Sequence, residues 1–280
     1  MLIELIVPKI FYYPNSMKLN VKITLLLILI KIFNHKVFID NHLSLITMGN
    51  KETIPGFRSF LYRSGNVYNW LSERIHDQQK KYSLIAALIG NNSQKVLDLP
   101  CGTGFLARYL HPSTYYTGFD LNYKFLKKIK TDQRKGRINL KNVVLKPTNI
   151  LDFGKYPKEK QDVVVLCDIL HHIYPNHIEL VETVKKFADK VILCEPVAIK
   201  PDGMSGCDFL TNSVLKITKY FPERVIKFLD FLFADNDGIN SYENRSCWNH
   251  DDKSLKELYS DLGFNKIYCV LDDYIGVWEN

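Results

Sequence analysis

The chain has 280 residues, 46% of them hydrophobic and 24% charged, with a formal net charge of +7. That is enough for one large α/β domain with a sizeable core, and no second full domain is needed. The six cysteines (Cys101, Cys167, Cys194, Cys207, Cys247 and Cys269) include no C-x-x-C pair, which excludes the usual zinc spacing. Four of them fall in or beside apolar runs that read as buried strands, as reduced thiols do, so a cytoplasmic compartment is expected.

The first 48 residues differ from the rest. Val21 to Ile32 is apolar but is interrupted by Lys22 and Lys31. That leaves roughly eight uninterrupted residues where a spanning helix needs about 20. Residues 1–48 therefore read as an N-terminal extension dispensable to the fold, with Met17 or Met48 as candidate starts and an interfacial anchor as the alternative. Residues 49–280 form the domain. From Tyr68 to Ile89 apolar residues recur at helical spacing until Asn91-Asn92 ends the run, so a single helix leads into the fold. Strands follow at Lys95–Leu99, Tyr115–Phe119, Val143–Lys146, Val163–Cys167 and Lys190–Cys194. Helices alternate with them at Phe105–Leu110, Tyr123–Thr131 and Ile178–Phe187. That alternation, with apolar strands, predicts a mostly parallel sheet covered by helices on both faces.

Residues 196–250 interrupt the alternation. Phe209 to Phe233 has apolar residues at helical spacing, broken by Pro222, and a polar turn-rich run follows. An insertion that arises beyond the carboxyl ends of the strands is placed to roof a ligand site, so a helical cap is expected here. Asp252 to Asp261 then reads as the last helix. Phe264–Val270 and Ile275–Trp278 read as an antiparallel terminal hairpin, which puts an antiparallel strand at the C-terminal end of the sheet.

The most informative stretch is VLDLPCGTGFLARYL, Val96 to Leu110: a buried strand, a glycine turn and a helix start. Gly102 and Gly104 let the backbone take positive φ or approach a ligand closely. Gly102 to Ala107 also fits the dinucleotide pattern G-x-G-x-x-A. Asp98 weighs against a dinucleotide, because a carboxylate four residues before Gly102 repels the pyrophosphate that a helix N-terminus attracts. The same carboxylate suits the ammonium and sulfonium of S-adenosylmethionine. Asp120, at the end of the next strand and about 20 residues beyond the loop, suits a ribose diol.

On these residues the chain, from about Lys51 to its C-terminus, resembles the class I S-adenosylmethionine-dependent methyltransferases, a Rossmann-like family. DLPCGTG is similar to the family's D-x-G-x-G-x-G loop and GFDLN to its ribose-binding acid. TNILDF is similar to its adenine-binding segment, and VVVLCDILHHI to its fourth strand with the active-site edge. The resemblance implies S-adenosyl-L-methionine as cofactor, held by Asp98, Gly102, Gly104, Asp120, Leu121, Asn149, Ile150 and Asp168. Within that set Leu121 packs on the adenine and Asn149 bonds its amino group. Pro100 departs from the pattern, standing where the family has its first glycine and removing one N–H. The hold on the cofactor's amino-acid end is then expected to fall to Asp98, Gly102 and neighbouring backbone.

Methyl transfer from a sulfonium is an in-line displacement, so the protein chiefly aligns the acceptor and, where needed, removes a proton. The candidates lie just after the fourth strand. Asp168 sits near the cofactor's cationic end, and His172, ahead of His171, can act as a base because an imidazole titrates near about pH 6.5. A structural role for the histidine pair competes with this reading. A metal is not expected, since no third ligand lies at helical or strand spacing. Glu195 faces the same edge, and Arg245 and Trp248 in the cap could meet an anionic or planar acceptor.

The chain lacks an N-P-P-Y run after the fourth strand and a paired-glutamate loop, which argues against nucleic-acid bases and protein arginine. A small-molecule or lipid-like acceptor remains, with O-methylation ahead of carbon or nitrogen. Two alternatives stay open: an NAD(P)-dependent oxidoreductase, and a non-catalytic cofactor-binding module of the same fold. Lys124 to Lys141 holds eight basic residues against Asp132 alone. It reads as a solvated helix face, and residues 21–33 and 124–141 are the two segments that could touch an anionic membrane. Phe125 is the sole aromatic residue there, which argues against base stacking on nucleic acid.

Overall fold

The computed structural model describes residues 61–75, 77–91, 94–197, 240, 244 and 247–280. The expected N-terminal extension and nearly all of the expected cap lie outside the described residues. In chain order the elements are α1 (Gly65–Ile75), α2 (Gln78–Ile89), β1 (Lys95–Leu99), β2 (Tyr115–Phe119), α3 (Tyr123–Arg134), β3 (Asn142–Lys146), β4 (Gln161–Cys167), α4 (Leu170–Ile173), α5 (His177–Lys185), β5 (Ala188–Pro196), α6 (Asp252–Asp261), β6 (Lys266–Val270) and β7 (Asp273–Glu279).

The strands form one seven-stranded sheet in the order β3-β2-β1-β4-β5-β7-β6. β1 to β5 pair in parallel, and β7 runs antiparallel between β5 and β6. Side chains alternate across the pleat and build two apolar layers. Leu97, Leu99, Val164, Leu166, Val191 and Leu193 pack with Leu180, Val181 and Val184 of α5 and Leu255 and Tyr259 of α6. Val96, Val163, Val165, Ile192 and Ile275 pack on the other face with Ile85, Ala86 and Ile89 of α2 and Leu126 and Ile129 of α3. Near-continuous Val/Leu runs on the central strands are what a sheet buried on both faces requires, each such side chain contributing about 1.5–3 kcal/mol.

Two local expectations change. The helix read from Tyr68 to Ile89 is two helices, because Asp77 starts a new one by accepting from Lys80 N at 3.1 Å. The helix expected over Phe105–Leu110 is only a single 3₁₀ turn, Leu106–Arg108. Gly104, at φ 80°, and Pro112 leave little room between them, and Leu106, Ala107 and Leu110 are already buried by that turn. No helix among the described residues is long and apolar enough to cross a membrane.

Candidate functional site

The strand order reverses direction between β1 and β4, and in open α/β sheets the crevice beyond the carboxyl ends at that point binds ligands. Asp98 lies at this end of β1 and is 3% exposed. Its Oδ2 accepts from the Tyr116 hydroxyl of β2 at 2.6 Å. Burial pushes the Asp98 carboxyl up to about 7, with the Tyr116 bond pulling against that and the neighbouring Asp120 carboxylate adding to it.

The loop after β1 is tied to the end of β2. Cys101 N donates to Phe119 O at 2.8 Å, and Gly102 N donates to Asp120 Oδ2 at 2.9 Å. Asp120 Oδ1 accepts from Asn122 N at 2.7 Å, and Asn122 in turn caps α3 through Lys124 N. The two glycines serve different ends. At Gly104 a Cβ would stand 2.8 Å from Ile129 Cγ1, so the loop could not lie this close to α3 with a side chain there. At Gly102, with φ 51°, a Cβ would meet nothing within 4 Å, which leaves the backbone open to a ligand. Two crowded carboxylates beside an open glycine fit a ligand that brings positive charge and hydroxyl donors. S-adenosylmethionine is such a ligand, and a pyrophosphate is not.

The other predicted cofactor residues are placed as follows. Leu121 is half-buried directly after Asp120. Asn149 is exposed, and its Oδ1 accepts from Leu151 N at 3.0 Å, so it shapes its own turn. Ile150 is buried against the β1–β4 apolar layer.

At the end of β4 the chain turns in the left-handed region at Asp168, φ 53°, a conformation that Asp tolerates better than most residues. Both Asp168 carboxylate oxygens face Lys81 Nζ of α2, at 2.8 and 2.7 Å, and Asp273 Oδ2 of β7 lies 3.2 Å from the same ammonium. Burial alone would lower the Lys81 pKa, but its neighbours, Asp168 foremost, outweigh that and hold it well above the ordinary value. Tyr82, next on α2, stacks on Phe105 with ring centroids 5.6 Å apart. Its hydroxyl accepts from Cys167 Sγ at 3.6 Å. Helix α2 thus reaches both the glycine loop and the end of β4.

Glu195, fully buried on β5, accepts from Ile169 N and Leu170 N at 2.7 and 2.8 Å, and its Oε2 lies 2.7 Å from His171 Nδ1. A carboxylate only accepts, so this contact favours the tautomer with the His171 proton on Nδ1. His172 is 5% exposed, with its ring centroid 4.3 Å from that of His171. The structure therefore gives the carboxylate partner to His171, where the sequence favoured His172. Trp248 is buried, edge-on to His177 and His250 at 5.5 and 4.6 Å. Arg245 lies outside the described residues. Sequence reasoning missed Lys81, Tyr116 and Asp273. A lysine on the buried face of an apolar helix run was the available signal for the first.

Residues 97–190 match a family model described as a methyltransferase domain. No curated protein sequence matches the chain. Among solved structures, an O-methyltransferase family protein from Burkholderia thailandensis is 17% identical at a TM-score of 0.51, covering 77% of this chain and 59% of that one. The pyocyanin biosynthetic protein PhzM is 14% identical at a TM-score of 0.51, covering 79% of this chain and 61% of that one. The chain thus spans about 60% of the length of these two proteins, and the likeness is one of fold. The matched segment runs from β1 into β5 and carries the glycine loop, the acid after β2 and the histidine pair after β4. Over residues 97–190 the chain is thus similar to a methyltransferase domain, and it shares its fold with these two solved structures.

Proposed function

We propose that the protein methylates a hydroxyl oxygen of a small-molecule or lipid-like acceptor, with His171 taking the proton and Glu195 positioning it. The observation that carries this reading is the 2.7 Å contact between His171 Nδ1 and the buried Glu195 carboxylate at the carboxyl edge of the sheet. A hydroxyl is a poor nucleophile until it loses its proton, whereas an amine attacks through its lone pair, so an oriented base favours oxygen. Asp98, Gly102, Gly104, Asp120, Leu121, Asn149, Ile150 and Asp168 would hold S-adenosylmethionine. When bound, it supplies an electrophilic methyl carbon.

Asp98 would meet the cationic amino-acid end, and that positive charge would favour the ionised form of a carboxyl that burial disfavours. Asp120, whose two oxygens accept from Gly102 N and Asn122 N, would also accept from the ribose hydroxyls. Asp168, paired with Lys81, would face the acceptor side. His171 Nε2 would receive the hydroxyl proton as the oxygen–carbon bond forms and the sulfur–carbon bond breaks, and would release it to solvent. His172, packed against that ring, is the second candidate for the base.

Two measurements test the reading together: calorimetric titration with S-adenosylhomocysteine, and transfer of labelled methyl to matched panels of hydroxyl- and amine-bearing acceptors. Transfer confined to hydroxyls is expected. Transfer to amines alone would overturn the oxygen assignment. Tight S-adenosylhomocysteine binding with no transfer to either panel would favour a non-catalytic binding role.

A further inference from the structure

We propose that the outward face of α3 docks on the anionic headgroups of a lipid bilayer. The helix divides cleanly: Phe125, Leu126, Ile129 and Asp132 are buried, and Tyr123, Lys124, Lys127, Lys130 and Arg134 are exposed. At 3.6 residues per turn these five exposed side chains fall within an arc of about 120°, along a stripe of about 17 Å. The sole acid of the helix, Asp132, is fully buried and occupied by Lys128, Arg137 and Arg108. Those three cations are paired with this one buried acid, Lys128 and Arg108 largely covered and Arg137 half exposed.

Lys124, Lys127, Lys130 and Arg134 make no ion pair with any described residue, and no exposed acid shares their helix. Lys135 and Lys141, also exposed, extend the basic run beyond the helix end. Like charges crowded on one face repel one another and gain from an anionic surface, where each lysine or arginine adds independently to binding.

Large apolar groups accompany the cations. Tyr123 is 56% exposed at the start of the stripe. Helix α1, packed on α3 through Tyr68 and Phe125 with ring centroids 5.0 Å apart, exposes Val67 and Trp70. Tyrosine and tryptophan beside lysines are the residues that settle at a bilayer interface. A single-stranded RNA site needs instead a groove whose rings take successive bases, and the two rings here, Tyr123 and Trp70, stand on separate helices with Tyr123 at the end of a convex helix face. The N-cap of α3, Asn122, donates its backbone N–H to Asp120, so a docked α3 would bring the ribose end of the cofactor crevice close to the membrane.

The test is co-sedimentation of the full chain with vesicles of phosphatidylcholine alone or with about 30% phosphatidylserine. Wild type is expected on the anionic vesicles only, and to leave them in about 0.5 M salt. The combined variant Lys127→Glu, Lys130→Glu and Arg134→Glu is expected to partition at least about tenfold less while binding S-adenosylhomocysteine as wild type does. Should that variant lose ligand binding, Lys127→Gln with Lys130→Gln is read in its place, with a smaller drop expected.

Absence of wild-type binding, or equal binding of wild type and variant, would overturn the proposal. Equal binding of wild type to neutral and anionic vesicles would overturn it too and would shift attention to residues 21–33. A parallel titration with single-stranded RNA that the variant alone fails, with vesicle binding unchanged, would give the face to RNA. The methyl-acceptor reading does not enter any of these outcomes.

Discussion

Lys81 Nζ holds both carboxylate oxygens of Asp168, at 2.8 and 2.7 Å, although the two residues are 87 positions apart. The contact fastens α2 to the carboxyl end of β4, and through Asp273 to β7 as well. Burial pushes the Asp273 carboxyl up to about 6 even with the lysine drawing it down, so this cluster is finely balanced in charge.

Lys81→Met should therefore be costly. Breaking a buried pair by removing one partner typically costs about 3–5 kcal/mol. Asp168 is 36% exposed and partly screened, which points to a loss of about 2–3 kcal/mol here. Urea unfolding midpoints measure it, and adding Asp168→Asn and Asp273→Asn to the lysine variant should restore part of the loss.

Asp98 links cofactor binding and stability to pH. Its folded carboxyl holds a proton up to about pH 7, more tightly than an unfolded one near about pH 4. Its contribution to stability is thus full below about pH 4 and is lost as pH rises to about 7. Asp98→Asn should flatten that dependence and raise the melting temperature above neutrality. Affinity for S-adenosylhomocysteine should rise through about pH 7 in wild type, as the carboxylate forms. In the variant it should be at least about tenfold weaker at pH 8 and nearly independent of pH, as calorimetry at several pH values would show.

His171→Asn should lower kcat by about 10²–10⁴-fold while leaving S-adenosylhomocysteine affinity intact. Glu195→Gln tests positioning. With the carboxylate gone, the imidazolium loses its support, and the rising limb of the pH–rate profile should move to lower pH. A larger loss in His172→Asn than in His171→Asn would transfer the base to His172.

Asp132, fully buried under α3, pairs with Lys128, Arg137 and Arg108. Burial acts to raise its pKa, but the hydrogen bonds from Arg137 and Lys128 outweigh that and hold the carboxyl below its ordinary value. Its stabilisation is therefore present above about pH 4 and is lost as pH falls through the folded value. Asp132→Asn should cost about 2–3 kcal/mol at neutral pH, and the difference from wild type should shrink in acid, by chemical denaturation across pH.

Much of the fold was legible because it is local. Strands β1 and β2 and helix α6 lie where composition and end signals put them. α6 carries its own reciprocal cap, Asp251 with Ser254, and β1 and β2 are short apolar runs between turn residues. The acids Asp98 and Asp120 were legible for the same reason, each standing at a strand end a short distance from the glycine turn. The break at Asp77 was not, because an N-cap inside a continuous helical pattern shows only when the second helix takes its own direction. Nor was the single turn at Leu106–Arg108, where packing is complete before a helix can extend.

By itself the sequence determined the order of strands and helices, the glycine loop and the two acids, since period, turn chemistry and short spacings are properties of neighbouring residues. Tertiary structure alone decided which charges meet. Lys81 finds Asp168 because α2 crosses the end of β4. Tyr116 finds Asp98 because β1 and β2 pair Asp98 with Gly118. Glu195 takes His171 because β4 and β5 pair Cys167 with Cys194, which sets the turn after β4 against the end of β5. Two adjacent histidines look alike along the chain, and the placement of one buried carboxylate across the sheet tells them apart.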